Sequence, residues 1–194
     1  MKRIGIFGGT FNPPHIAHSI VAESVRAQLI LDKIIFIPSG NPPLKESIPA
    51  EDRLAMANLA FGDDINFEVS DIEIRNITDK SYTVNTLRKL RIKYEGERIK
   101  LFLIIGADNL LDLPRWKDPG QLFELAEIVV INRPGFDPKN SKKEFYEKAK
   151  FTDVPYLEIS SSMIREYVKI GRPVKYLVTK EVEEYIEDNK LYLL

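Results

Sequence analysis

Short runs of β-branched and other apolar residues recur along this chain, each followed by a stretch whose apolar residues fall three and four apart. Arg3 to Phe7, Ile34 to Ile37, Phe67 to Ile74, Ile99 to Ile105, Ile128 to Ile131 and Tyr156 to Ile159 read as strands. Runs this short and this apolar suit strands covered on both faces, as in parallel sheets. Between them, His15 to Leu29, Ala50 to Phe61, Thr83 to Tyr94, Ser160 to Ile170 (closed by Gly171) and Thr179 to Asp188 read as helices. Asp118-Pro119-Gly120-Gln121 predicts a further helix start, with an N-cap, proline at the first helical position and a capping-box partner. Strands alternating with helices imply right-handed crossovers. The expected fold is therefore α/β: a doubly wound, mainly parallel open sheet with helices on both faces. The loops Ser39 to Pro43 and Arg133 to Asn140 follow strands, and so belong at the carboxyl edge of the sheet, where such folds bind ligands.

At 194 residues, 44% hydrophobic and 29% charged, the chain is expected to form one domain over 1–194, its C-terminal helical part beginning near 160. A formal charge of −1 supplies no global basic field, so nucleic acid is not an expected partner. The absence of cysteine excludes disulfides, thiolate metal sites and a Cys nucleophile. The opening MKRIGIFGGTF is broken by glycines too early for a signal peptide, and no apolar run approaches a membrane span. A soluble cytoplasmic protein with no membrane partner is expected.

Both histidines of the chain, His15 and His18, fall in the segment Gly8 to His18, GGTFNPPHIAH. Spaced three apart at a helix start, they share a face. Gly8 and Gly9 directly follow the first strand and let backbone approach a ligand closely. Backbone N–H groups, a positive helix end and two imidazoles then converge on one point, an anion site suited to phosphate. Neither G-x-x-x-x-G-K-[ST] nor G-x-G-x-x-G occurs, so a Walker ATPase and an ordinary dehydrogenase fit poorly. No third ligand accompanies the two histidines, which argues against a protein-held metal.

GGTFNPPHIAH, together with ISSSMIR (Ile159 to Arg165), resembles the bacterial nicotinate mononucleotide adenylyltransferases of the HxGH nucleotidyltransferase superfamily, which have a Rossmann-like fold. The likeness runs nearly end to end through PSGNPPLK (Pro38 to Lys45), SYT (Ser81 to Thr83), IIGAD (Ile104 to Asp108), LPRW (Leu113 to Trp116) and RPG (Arg133 to Gly135). The resemblance implies adenylyl transfer from ATP to nicotinate mononucleotide, with Mg²⁺ carried on the ATP phosphates. It implies catalytic roles for His15, His18 and Arg165. It assigns ATP to Gly8, Gly9, Thr10, Phe11, Gly106, Asp108, Ser160, Ser161 and Ser162 besides these three. It assigns the second substrate to Asn12, Lys45, Thr83, Asp108, Trp116 and Arg133.

For several of these residues a structural role is also open. Ser160 could be a plain N-cap, Asp108 a helix cap, Arg133 half of a surface ion pair, and Lys45 a solvated lysine. The chain departs from the family pattern at Asn12 (usually Asp), Ala17 (usually Gly), Leu44 (usually His) and Ser162 (usually Thr). Rival readings are a related adenylyltransferase acting on nicotinamide mononucleotide or phosphopantetheine, and a non-catalytic nucleotide-binding module. A homo-oligomer is compatible with the sequence.

Overall fold

A computed structural model describes residues 1–41, 47–75, 80–133 and 135–193. Among them six strands form one parallel sheet: β1 (Lys2–Gly9), β2 (Lys33–Pro38), β3 (Phe67–Val69), β4 (Ile99–Gly106), β5 (Glu127–Ile131) and β6 (Lys150–Thr152). Their order is β3-β2-β1-β4-β5-β6. This is the doubly wound order, which reverses direction between β1 and β4 and opens a crevice at their carboxyl ends. The helices are α1 (Ile16–Gln28), α2 (Ala50–Phe61), α3 (Thr83–Lys93), α4 (Ala107–Asp112), α5 (Pro119–Leu125), α6 (Lys143–Lys148), α7 (Ser161–Lys169) and α8 (Lys180–Asp188).

The period of two along each strand decides which face each residue covers. Ile4, Ile6, Ile35, Ile37, Leu101, Leu103 and Ile105 point to one face and pack with Val84, Leu87 and Leu90 of α3 and Leu122 of α5. Ile34, Phe36, Phe102 and Ile104 point to the other and pack with Ala22 and Val25 of α1 and Ala57 and Phe61 of α2. Gly5 lies where a Cβ would come within 2.4 Å of Ile34 Cδ1, so its missing side chain leaves room for that second layer. A third cluster joins Met56 of α2 to Ile164 of α7, Val174, Val178, and Val182 and Ile186 of α8. Through α2 the C-terminal helices, and with them the ISSSMIR segment, are docked against the crossover between β2 and β3. No helix among the described residues is long and apolar enough to cross a membrane.

Three expectations about elements need correction. Phe67 to Ile74 is a strand only to Val69. The chain then turns, with Ile74 N–H donating to Asp71 O at 2.8 Å and the Arg75 guanidinium to the Asp71 carboxylate at 2.7 Å. That turn places Glu73 at the carboxyl edge of the sheet. Tyr156 to Ile159 forms no strand; the last strand is Lys150–Thr152, an edge strand where one apolar residue and backbone pairing suffice. The chain after it is held by Gln28, which donates to Asp153 O at 2.7 Å, and by Asn132 Oδ1, which accepts from Val154 N–H at 3.0 Å. At α5 the proline stands at the first helical turn as expected. Asp118, however, adopts φ 48° and makes no side-chain cap; its carboxylate faces Arg88 at 3.6 Å.

Candidate active site

The site lies over the carboxyl ends of β1 and β4 and has two halves that share the turn Gly8-Gly9-Thr10. In the first half that turn leads through Phe11 and a cis Asn12–Pro13 bond into α1. Phe11 has φ 49° and is only 3% exposed, its ring set edge-on to Phe7, Phe36, Phe61 and His18. A Cβ on Gly9 would press on that ring at 3.0 Å. The packing of Phe11 therefore fixes where the turn passes. His15 is the N-cap of α1 and His18 its third residue, with the two rings stacked at 3.7 Å. His15 N–H donates to His18 Nδ1 at 3.1 Å, which leaves His18 Nε2 to carry the ring proton. The Ile16 N–H is taken by Leu177 O at 3.0 Å. One N–H of the helix start is thereby already engaged within the protein.

Both imidazoles are held neutral. Burial lowers the His15 pKa to about 4. It also takes His18 well below the usual histidine range, with the neighbouring His15 ring and the Arg133 guanidinium adding to the effect. A histidine with a folded pKa near 4 and an unfolded pKa near 6.5 binds fewer protons folded than unfolded between those values. Its contribution to stability is full above pH 6.5 and is lost as pH falls toward 4. For His15 alone the linkage amounts to about 2 kcal/mol between pH 7.5 and pH 5. His15→Gln should accordingly flatten the acid side of the stability profile, measured as urea midpoints at those two pH values. Parallel profiles for the variant and the parent would refute the burial account.

The second motif meets the first directly. Ser160 caps α7, its Oγ accepting from Met163 N–H at 3.2 Å, so the structural role considered for it is realised. Ser161 Oγ donates to Pro13 O at 2.8 Å. Arg165 donates to Asn12 O at 2.8 Å and to Ser162 Oγ at 3.3 Å. Asn12 is buried, and its Oδ1 accepts from the hydroxyl of Tyr192 at 2.8 Å. Its side chain thus faces the C-terminal segment rather than an open cavity.

The second half is a cavity of about 400 Å³ lined by Gly8, Gly9, Thr10, Ser39, Glu73, Ser81, Tyr82, Thr83, Gly106, Asp108, Asn109 and Trp116, among others. Thr83 opens α3, and Trp116 ends a 3-10 turn over Leu113–Arg115 and rests against the core. Asp108 folds back over Gly106, where a Cβ would lie 2.4 Å from its Oδ1. Its Oδ2 pairs with Arg133, and its Oδ1 is buried without a partner. The surface ion pair weighed for Arg133 is therefore present, and its partner is another expected site residue. The structure brings Gly8, Gly9, Thr10, Thr83, Gly106, Asp108 and Trp116 to the cavity. His15, His18, Ser160, Ser161, Ser162 and Arg165 lie in the first half. Lys45 and the Leu44 departure lie outside the described residues.

Three residues escaped the sequence reading. Tyr82 lines the cavity beside Thr83, with Lys117 Nζ 4.8 Å above its ring. Glu73 accepts from Thr86 Oγ1 at 2.5 Å, and burial pushes its carboxyl up. Arg53 is 1% exposed and donates to three backbone carbonyls. Tyr82 was legible only as the middle residue of SYT, and Glu73 not at all; Arg53 stands in the buried stripe Ala50, Arg53, Ala57, where a charge is out of place on an amphipathic helix.

A doubly wound sheet with a glycine turn and paired imidazoles at its switch point defines a protein that handles nucleotide phosphates. Residues 6–167 match the cytidylyltransferase-like family. A probable nicotinate-nucleotide adenylyltransferase of Roseiflexus sp. is 44% identical, the match covering 97% of this chain and 97% of that one. One from Desulfitobacterium hafniense is 41% identical over 98% of this chain and 96% of that one. The Plasmodium falciparum nicotinic acid mononucleotide adenylyltransferase complexed with NaAD superposes with a TM-score of 0.82 at 19% identity, covering 99% of this chain and 98% of that one, which shows the shared fold. The chain belongs to the nicotinate-nucleotide adenylyltransferase family.

Proposed function

We propose that this chain transfers AMP from ATP to nicotinate mononucleotide, releasing pyrophosphate and forming deamido-NAD, and that one domain over 1–194 does so. The observation that carries this reading is the sharing of one glycine turn by two half-sites, one holding imidazole, hydroxyl and guanidinium groups able to donate to phosphate and one walled by aromatic rings. The nucleophile is the mononucleotide phosphate, whose second pKa of about 6 leaves it mostly dianionic at neutral pH. No general base is needed. The protein has to bring two anions into line and stabilise charge on the α-phosphate and the departing pyrophosphate.

In this reading the Gly8–Phe11 turn and the His18 Nε2–H receive the ATP phosphates. Ser161, Ser162 and Arg165, at the start of α7, clamp the pyrophosphate end. Trp116 stacks on the pyridine ring, and the first turn of α3 at Thr83 receives the nicotinate carboxylate. Glu73 lines the same cavity and would repel that carboxylate if ionised; burial favours its neutral form. A divalent ion fits as a passenger on the triphosphate. Among the described residues no three His, Cys, Asp or Glu side chains group to hold a metal. Mg²⁺ takes hard anionic oxygens, which the phosphates supply, and it would offset the repulsion between the substrates.

Pyrophosphate release is the test, with ATP and Mg²⁺ present and nicotinate mononucleotide, nicotinamide mononucleotide and phosphopantetheine offered in parallel. Release well above the others with the nicotinate substrate is expected. Equal use of nicotinate and nicotinamide substrates would reject the carboxylate assignment at Thr83, and release with phosphopantetheine alone would reject the substrate.

A further inference from the structure

Arg53 is a buried cation that the reaction as described does not use. It stands on α2, and among the described residues its three hydrogen bonds go to backbone carbonyls, none to a carboxylate: Thr10 O at 2.9 Å, Gly40 O at 3.1 Å and Ile48 O at 3.2 Å. A guanidinium so deeply buried is costly unless its donors are placed with purpose. Thr10 belongs to the glycine turn after β1. Gly40 belongs to the turn after β2, where a Cβ would come within 2.1 Å of Glu73 O, so this backbone is closely packed.

From Gly40 the chain of bonds continues. Gly40 N–H and Asn41 N–H both donate to Ser81 Oγ at 3.0 Å, and Ser81 N–H donates to Asn41 O at 3.0 Å. Ser81 is hydrogen-bonded to Glu73, and directly precedes Tyr82 and Thr83 in the cavity wall. Ser39 N–H donates to Gly9 O at 2.9 Å, tying the same two turns a second time. Arg53 therefore ties the glycine turn to the turn after β2, and the bonds from Gly40 and Asn41 to Ser81 carry the connection on to the wall of the aromatic half-site.

We propose that Arg53 is a positioning residue that sets the spacing between the two substrate half-sites. The inference rests on the reaction given above. Each substrate has its own contacts, so each still binds when the spacing slackens. In-line attack depends on both being held in register, and a displacement of about 1 Å can cost 10²-fold in rate. Arg53→Lys keeps the charge but cannot reach two carbonyls from one planar fork.

The test measures kcat, the KM of each substrate, and the dissociation constants of ATP, nicotinate mononucleotide and deamido-NAD, the last of which spans both half-sites. For Arg53→Lys, kcat is expected to fall roughly 10- to 100-fold. Both KM values should stay within about threefold, and deamido-NAD should weaken about tenfold or more. Ser81→Ala cuts the same chain at its far end and should show the same split, which decides the matter should the Arg53 variant not fold. A kcat close to wild type, or equal weakening of all three ligands, makes Arg53 a structural residue and overturns the proposal. An inactive wild-type protein overturns the reaction itself, an outcome distinguishable from an active wild type with unaffected variants.

Discussion

His18→Ala should lower kcat by about 10²- to 10³-fold, the usual loss when one preorganised donor to a developing charge is removed. The size follows from the geometry. His15 N–H occupies His18 Nδ1, so the neutral ring can present only an Nε2–H, in a fixed orientation. Burial keeps that ring uncharged before substrate arrives. A neutral Nε2–H held in this way would meet a triphosphate without reorientation of the ring. The same substitution removes the acceptor for His15 N–H at the start of α1. Loss of such a cap costs about 1 kcal/mol, which shifts Tm by about 2–4 °C in a chain of this size. Turnover and Tm measured on the same sample separate the two effects. A variant with near-parental kcat would remove His18 from the chemistry.

Trp116→Ala should raise the KM for nicotinate mononucleotide roughly tenfold to a hundredfold and leave the KM for ATP nearly unchanged. Stacking of a planar ring on an aromatic side chain contributes about 1–3 kcal/mol, and each 1.4 kcal/mol is a factor of ten. Trp116 is half-buried, rests on the core beside Leu113 and forms part of the cavity wall, so its ring is already held before a ligand arrives. Trp116→Phe should recover much of the affinity, because a smaller ring still stacks. Equal effects of the alanine variant on both substrates would place the tryptophan elsewhere in the reaction.

The parallel α/β architecture was legible in the chain because alternating burial leaves a mark at each position. Ile34 and Phe36 face one layer, Ile35 and Ile37 the other, and both sets are fully buried. The glycine turn, the histidine pair and the second serine-rich helix start were legible for a related reason: these residue types side by side are chemically unusual. Where the signal was weaker, the reading slipped. Asp71 to Ile74 carries strand-like apolar residues, but Asp71 closes a turn on Ile74 and Arg75, and a local hydrogen bond outcompetes an unpaired edge. Tyr156 to Ile159 is apolar enough for a strand, yet the edge of the sheet beside β5 is taken by Lys150–Thr152.

Side-chain partners were decided by the tertiary structure alone, because they depend on which segments meet across the chain. Arg165 reaches Asn12 across 153 residues, Tyr192 reaches the same asparagine across 180, and Arg53 joins Thr10 to Gly40 from a helix that follows both. The pairing of Asp108 with Arg133 is of this kind too: each is legible as a candidate ligand residue, and only their meeting shows that they hold one another. Periodicity in the sequence determines which residues must leave water, since burial is a property of one position at a time. A hydrogen bond is a property of two positions. For the groups that shape this site, the second position is set by the fold.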